Sequence, residues 1–254
     1  MRTFGAWLAT AIMLSVTGIM AGALPAQAAT KDPVIIVAGT FADQSGANVF
    51  YAPLATRLRA DGYQVWIFGL PSAGLGDART AAAKLNTFAD GVRSQTGSAK
   101  VDIVAHSQGG MISRYYIKNL GGAAEVDSLV SLGAVHYGTA AANAAKILGL
   151  GNCLGFVGCQ QMSIGSSFLN DLNAGDDTIG NVVYTNFVTA FDEVIVPYTN
   201  GYLNNDGNNT NVRIQSQCPA RYVGHVTLAT DGTVYSGIQD ALAKRSISLS
   251  CWAV

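Results

Sequence analysis

Val101-Asp102-Ile103-Val104-Ala105-His106-Ser107-Gln108-Gly109-Gly110 is the stretch on which the reading of this chain turns. A run rich in β-branched residues, as a strand buried on both faces should be, passes straight into a turn of small residues. Met111 and Tyr115 then continue as a helix that stops at Gly121-Gly122, a C-cap signal. Ala105-x-Ser107-x-Gly109 is a variant of the G-x-S-x-G pattern, with alanine in the first glycine's place. In that pattern a serine sits on a sharp strand-to-helix turn, and its neighbours must be small because the two backbones approach closely. Ser107 is thus the candidate nucleophile. The Gln108 N–H, at the start of the helix, is a candidate oxyanion donor.

Outward from this turn, strands and helical stripes alternate. Val34–Val37, Tyr63–Phe68, Leu129–Val135, Val182–Val188 and Val212–Ile214 read as further strands. Leu85, Phe88, Ala89 and Val92 form one apolar helical stripe, with Asp77 as its N-cap, and a last helix is expected over Thr233–Lys244. The pattern predicts an α/β fold, a sheet of about six strands, mainly parallel, with helices on both faces. Ala140–Asn173 and Asn200–Asn211 fit neither period and are expected to be loops.

The amino terminus decides the compartment. Arg2, an apolar run from Phe4 to Leu24, and Ala26-Gln27-Ala28-Ala29 follow the order of a secretory leader cleaved after Ala28. Residues 29–254 are then one catalytic domain, secreted to the extracellular side. A retained anchor is the competing reading, since the run is nearly long enough to span a bilayer; no later segment is. Four cysteines, 153, 159, 218 and 251, are an even set in an exported chain. Of three possible pairings, sequence proximity favours Cys153–Cys159, and with it Cys218–Cys251. Their spacing suits no usual zinc site, so no metal is expected. With 15 basic and 16 acidic residues and only 12% charged residues, nothing points to nucleic acid.

A serine hydroxyl needs a base. His106 adjoins the serine and should point away from it, His136 precedes any later acid, and His225 lies beyond the last strand. The order Ser, Asp, His selects His225. Asp192, first after the fifth strand, is the expected acid, with Glu193 as runner-up. The loop Ala38-Gly39-Thr40-Phe41 follows the first strand; its Phe41 N–H is the second expected oxyanion donor.

These segments resemble the class 2 lipases, small bacterial enzymes of the minimal α/β-hydrolase type with many actinobacterial relatives. Pro33–Phe41 is similar to that family's oxyanion segment, with Ala38 where histidine is common. Val101–Gly110 is similar to its nucleophile strand, and His136-Tyr137-Gly138-Thr139 to its Asn-His-Gly-Thr segment. Cys159–Met162, Gly165-Ser166 and Phe168-Leu169 resemble a stretch of the actinobacterial members. The resemblance implies a triacylglycerol lipase or esterase that works through an acyl-enzyme without a cofactor. Its partner is an ester or lipid substrate, met at a lipid–water interface, and the enzyme is expected to be a monomer. Thr40, His106, His136, Met162 and Phe168 are the candidate substrate contacts. Leu148, Leu150, Leu154, Phe156, Val157, Met162, Ile164 and Phe168 form either an apolar rim at the site or ordinary packing. A Cys153–Cys159 bridge would stiffen that loop against acting as a large lid. Asn204–Asn209 invites a calcium reading at Asp206, but a solvated turn fits its composition better. A polyesterase or cutinase-like enzyme, an acyltransferase, and a non-catalytic binding protein remain alternatives on the same fold.

Overall fold

In the computed structural model, residues 31–142, 153–204 and 207–254 are described. The expected leader, the Leu148 and Leu150 part of the apolar segment, and Asp206 lie outside the described residues. Lys31–Val254 forms one compact unit.

Six strands build one sheet: β1 (Val34–Val37), β2 (Val65–Phe68), β3 (Val101–His106), β4 (Val126–Leu132), β5 (Val183–Val188) and β6 (Asn209–Arg213). Their order is β2-β1-β3-β4-β5-β6 and every pairing is parallel. β1 and β3, buried along their whole length, lie side by side in the interior of the sheet, as their uninterrupted apolar runs require. The chain leaves β1 in one direction to make β2, then returns past β1 to make β3. Right-handed crossovers put the connections of these two excursions on opposite faces. One carries α1 (Gln44–Phe50) and α2 (Ala52–Ala60); the other carries α3 (Ala78–Thr96), with α4 (Gln108–Asn119) following on its side. Asp61, just after α2, accepts hydrogen bonds from Tyr235 Oη at 2.6 Å and Gln239 Nε2 at 2.7 Å, which ties the last helix, Gly232–Leu242, to that face.

The reversal of strand order falls between β1 and β3. In open parallel sheets this point leaves a crevice at the carboxyl ends of the strands, where ligands bind. Val37 stands opposite Ala105 in the register, so the loop after β1 comes out beside Ser107.

The local signals were read well for the central elements. Asp77 caps α3 by accepting from the Arg79 N–H at 2.6 Å, and α4 ends at Asn119, with Gly121 left-handed at φ 89° two residues on. Three segments differ most from expectation. β4 begins at Val126 and ends at Leu132, because Gly133 turns the chain with φ 52° before Ala134 and Val135 can extend it. β6 starts at Asn209, inside a segment expected to be loop. It is an edge strand whose Asn209 and Asn211 side chains both accept from Asn186 Nδ2, at 2.7 and 3.0 Å, so amide pairing replaces an apolar signal. The segment before Asn173 holds two short helices, Val157–Gln161 and Ser167–Asn173, the second capped by Ser166 Oγ on the Leu169 N–H. Both cysteine pairs form as expected, Cys153–Cys159 and Cys218–Cys251. Among the described residues no helix is long and apolar enough to cross a membrane.

Candidate active site

Ser107 sits between β3 and α4 with φ 56° and ψ −125°, a conformation a non-glycine residue adopts only where its surroundings impose it. What imposes it is close packing. A Cβ on Gly109 would stand 2.5 Å from the Ala38 carbonyl oxygen and 2.7 Å from that of Val37, so α4 starts in direct contact with the end of β1. The small residues seen in the sequence are the condition for this contact.

The loops after β5 and β6 bring the acid and the histidine to the same place. Asp192 Oδ1 accepts from the Val194 and Ile195 N–H groups at 3.0 and 2.6 Å, and Oδ2 accepts from His225 Nδ1 at 3.0 Å. Those bonds aim the carboxylate at the imidazole and fix the tautomer that leaves Nε2 free to accept a proton. Glu193 is not the imidazole's partner. Its Oε2 accepts from the His225 backbone N–H at 3.0 Å, so the two adjacent carboxylates hold the same residue by ring and by backbone. Gly133, the residue that ends β4, lies directly beneath. A Cβ there would be 3.1 Å from both Asp192 Oδ2 and His225 Nδ1 and 2.8 Å from Leu228 Cδ1.

Ser107 and His225 both line a cavity of about 690 Å³, within the range of small-molecule sites. Thr40, Phe41 and Met162 line it too. The remaining walls are largely apolar, including Leu75, Leu154, Phe156 and Ile195. Phe41, Leu154 and Val226 stand out on its rim, 80%, 66% and 51% exposed. The Cys153–Cys159 pair forms part of the wall.

The oxyanion loop departs from expectation at one residue. The Phe41 N–H donates to the Ala73 carbonyl at 2.8 Å and is spent there. The Gly39 N–H donates to Tyr51 Oη at 2.9 Å. Between these two tied amides the Thr40 N–H has no partner among the described residues, and the Thr40 hydroxyl donates to Gln108 Oε1 at 2.9 Å. Gln108 Nε2 in turn donates to the Gly74 carbonyl at 2.8 Å, so the Gln108 side chain bridges the loops after β1 and β2. The Gln108 N–H, at the first position of α4, lies outside the helix's own hydrogen bonding.

Of the candidate substrate contacts, Thr40, His106 and Met162 line the cavity. His136 does not. It is fully buried beneath the sheet's end, bonded through Nε2 to Asn186 Oδ1 at 3.0 Å, and burial drives its basicity well below that of an ordinary histidine. Phe168 does not either; it packs in the core, stacked on Tyr115 at 5.5 Å. The apolar segment therefore splits, with Leu154 and Phe156 at the cavity and Phe168 in the interior. Gly133, Tyr51 and the side chain of Gln108 have no signal in the sequence, because each acts through a contact with a distant segment.

Known proteins bear on this arrangement. The family model described as Lipase (class 2) matches residues 31–234. A triacylglycerol lipase of Burkholderia plantarii is 32% identical over 120 residues, which are 43% of this chain and 34% of that protein. A triacylglycerol lipase of Pseudarthrobacter phenanthrenivorans is 33% identical over 91 residues, 35% of this chain and 28% of its own. The chain thus matches about a third of the length of these relatives. A Bacillus licheniformis lipase in its mature form superposes with a TM-score of 0.67 at 14% identity, covering 84% of this chain and 93% of the other. Aspergillus fumigatus lipase B gives 0.68 at 17% identity, covering 85% and 54%. At such identities these two likenesses speak for the fold.

Proposed function

The chain belongs to the class 2 lipase family, and on that premise we propose that it hydrolyses carboxylic esters, as a lipase or esterase, through Ser107, His225 and Asp192. Ser107 Oγ attacks the ester carbonyl while His225 Nε2 takes its proton. The alcohol leaves with that proton, and water, activated by the same imidazole, releases the acid. Asp192 holds the imidazole's orientation and stabilises its cationic form. The Thr40 and Gln108 N–H groups receive the oxyanion. Phe41 would have to give up Ala73 to join them, which is why the donor is assigned one residue earlier than the sequence suggested.

The observation that carries this reading is the His225 Nδ1–Asp192 Oδ2 hydrogen bond of 3.0 Å beside Ser107 at one cavity. The apolar walls favour an acyl chain over a polar substituent, in keeping with the triacylglycerol lipases among its relatives. Residues 1–28 are a leader removed on export, and residues 29–254 are the secreted catalytic domain. The two disulfides support that compartment.

The test is hydrolysis of p-nitrophenyl esters of graded chain length by the mature protein and by Ser107→Ala. A loss of at least ~10³-fold is expected on removing the nucleophile. Retained activity in the variant, or none in either protein, would overturn the reading.

A further inference from the structure

His106, the serine's neighbour, is placed unlike a residue that merely fills space. Its ring lies 4.9 Å from that of His225 and is stacked at 6.3 Å on Phe50. Both its nitrogens are bonded: Nδ1 to Tyr51 Oη at 2.9 Å and Nε2 to the His225 carbonyl at 3.0 Å. Tyr51 Oη also receives the Gly39 N–H at 2.9 Å. The hydrogens of this series can be assigned. A carbonyl only accepts, so His106 Nε2 must carry a proton and donate to His225. Burial drives the His106 pKa down to about 3, so the ring is neutral and Nδ1 accepts. Tyr51 therefore donates its single hydroxyl hydrogen to Nδ1 and accepts from Gly39. Each group has one role, and no alternative arrangement satisfies all of them.

The two ends of this series are the two halves of the candidate machinery. Gly39 precedes Thr40, whose N–H stands between two tied amides. His225 is held at its carbonyl by His106, at its N–H by Glu193 and at its ring by Asp192. Contact reinforces the link, since a Cβ on Gly39 would lie 3.2 Å from His106 Nδ1 and 3.0 Å from Ser107 Cβ.

We propose that Tyr51 and His106 are positioning residues, a neutral hydrogen-bonded strut from the Gly39 N–H to the His225 carbonyl that keeps the oxyanion donor and the base at one spacing. The inference rests on the ester-hydrolase reading above for what the spacing serves. Neither residue exchanges a proton with substrate. The strut acts on the transition state, where oxyanion and imidazolium exist together, more than on the bound ester.

The test pairs kinetics with a spectrum. In Tyr51→Phe the ring stays and only the hydroxyl goes, leaving the Gly39 N–H and His106 Nδ1 without partners. Such a loss is expected to lower kcat by about 10- to 100-fold with KM within about twofold, on an ester that the wild type hydrolyses in a Ser107-dependent way. A purely structural role would lower thermal stability and leave kcat within twofold, and that result overturns the proposal. The second measurement uses the wild-type protein, so it stands even if the variant does not fold. Nitrogen-15 spectra of its histidines should show His106 as the neutral Nε2–H tautomer throughout pH 5–8. The ionisable groups facing it are Tyr51, His225 and Asp192. An Nδ1–H tautomer, or titration of His106 itself, overturns the strut. A wild type without Ser107-dependent hydrolysis overturns the function reading instead, and the spectrum still decides the hydrogen-bonded series.

Discussion

Two buried aspartates stand at opposite ends of the sheet, and their surroundings differ in kind. Asp192, beyond the carboxyl end of β5, has a side chain 1% exposed and three donors: two backbone amides and the His225 imidazole. Asp102, near the amino end of β3, is 4% exposed, and its Oδ1 has no partner among the described residues. Burial there pushes its carboxyl up to about 7. The contrast shows what a site requires beyond burial. A carboxylate taken from water is costly unless the protein replaces the lost hydrogen bonds. At the carboxyl end, loops that double back over the strands supply those donors. At the amino end the Ser128 hydroxyl of the neighbouring strand does not offset the cost of burial.

The largest effect expected of this contrast is on catalysis. In Asp192→Asn the Val194 and Ile195 N–H groups keep the one remaining oxygen, so an amide NH2 faces His225 Nδ1 and selects the wrong tautomer; kcat is expected to fall about 10⁴-fold, roughly 5 kcal/mol, without loss of fold. Steady-state kinetics beside a thermal melt measures both. A fall below tenfold would mean that Asp192 is no more than another buried carboxylate.

Asp102→Asn probes the other end, and its effect should be on stability alone. With the folded-state pKa raised above the unfolded value, the protonated form is at no disadvantage below about pH 4. Stability then drains away as pH rises through about 7, because the unfolded chain ionises freely and the folded one does not. Urea unfolding of the wild type should show this loss between pH 5 and 8. Asp102→Asn should be nearly flat across that window, and the difference at pH 8 is on the order of 4 kcal/mol at most. Ester hydrolysis should be unchanged. A wild type as stable at pH 8 as at pH 5 would mean that Asp102 ionises at no cost and that the two ends do not differ.

The smallest effect separates the adjacent carboxylates. Glu193→Gln keeps an acceptor for the His225 N–H and loses only the charge of that bond, so kcat should fall less than about tenfold. If it fell as far as in Asp192→Asn, the division between ring and backbone would be wrong.

Much of the fold was legible because β1 and β3 advertise themselves. A strand buried on both faces must be apolar throughout, and Asp77 caps α3 with a side chain that has that one local use. β6 was largely missed because its pairing is made by Asn186, Asn209 and Asn211, whose types read as loop in isolation. Within the candidate site, Ser107 is legible since a sharp turn constrains its own neighbours. The Asp192-Glu193 pair was found, but not the division of work between them. The bond that occupies the Phe41 N–H could not be read from the sequence, because its partner, Ala73, lies in another loop.

The sequence by itself determined the alternation that makes a parallel sheet, the turn that presents Ser107, and the order of Ser, Asp and His. All of these are local or ordinal properties, written in spacing and side-chain type. The tertiary structure alone decided which amide after β1 is left open, that Glu193 grips the His225 backbone, that His136 and Phe168 are buried away from the cavity, and that Tyr51 and His106 are hydrogen-bonded between the Gly39 N–H and the His225 carbonyl. The reason is physical. A hydrogen bond is satisfied by whichever donor or acceptor the folded chain brings within about 3 Å, and residues distant in sequence become neighbours only when the sheet has set its order.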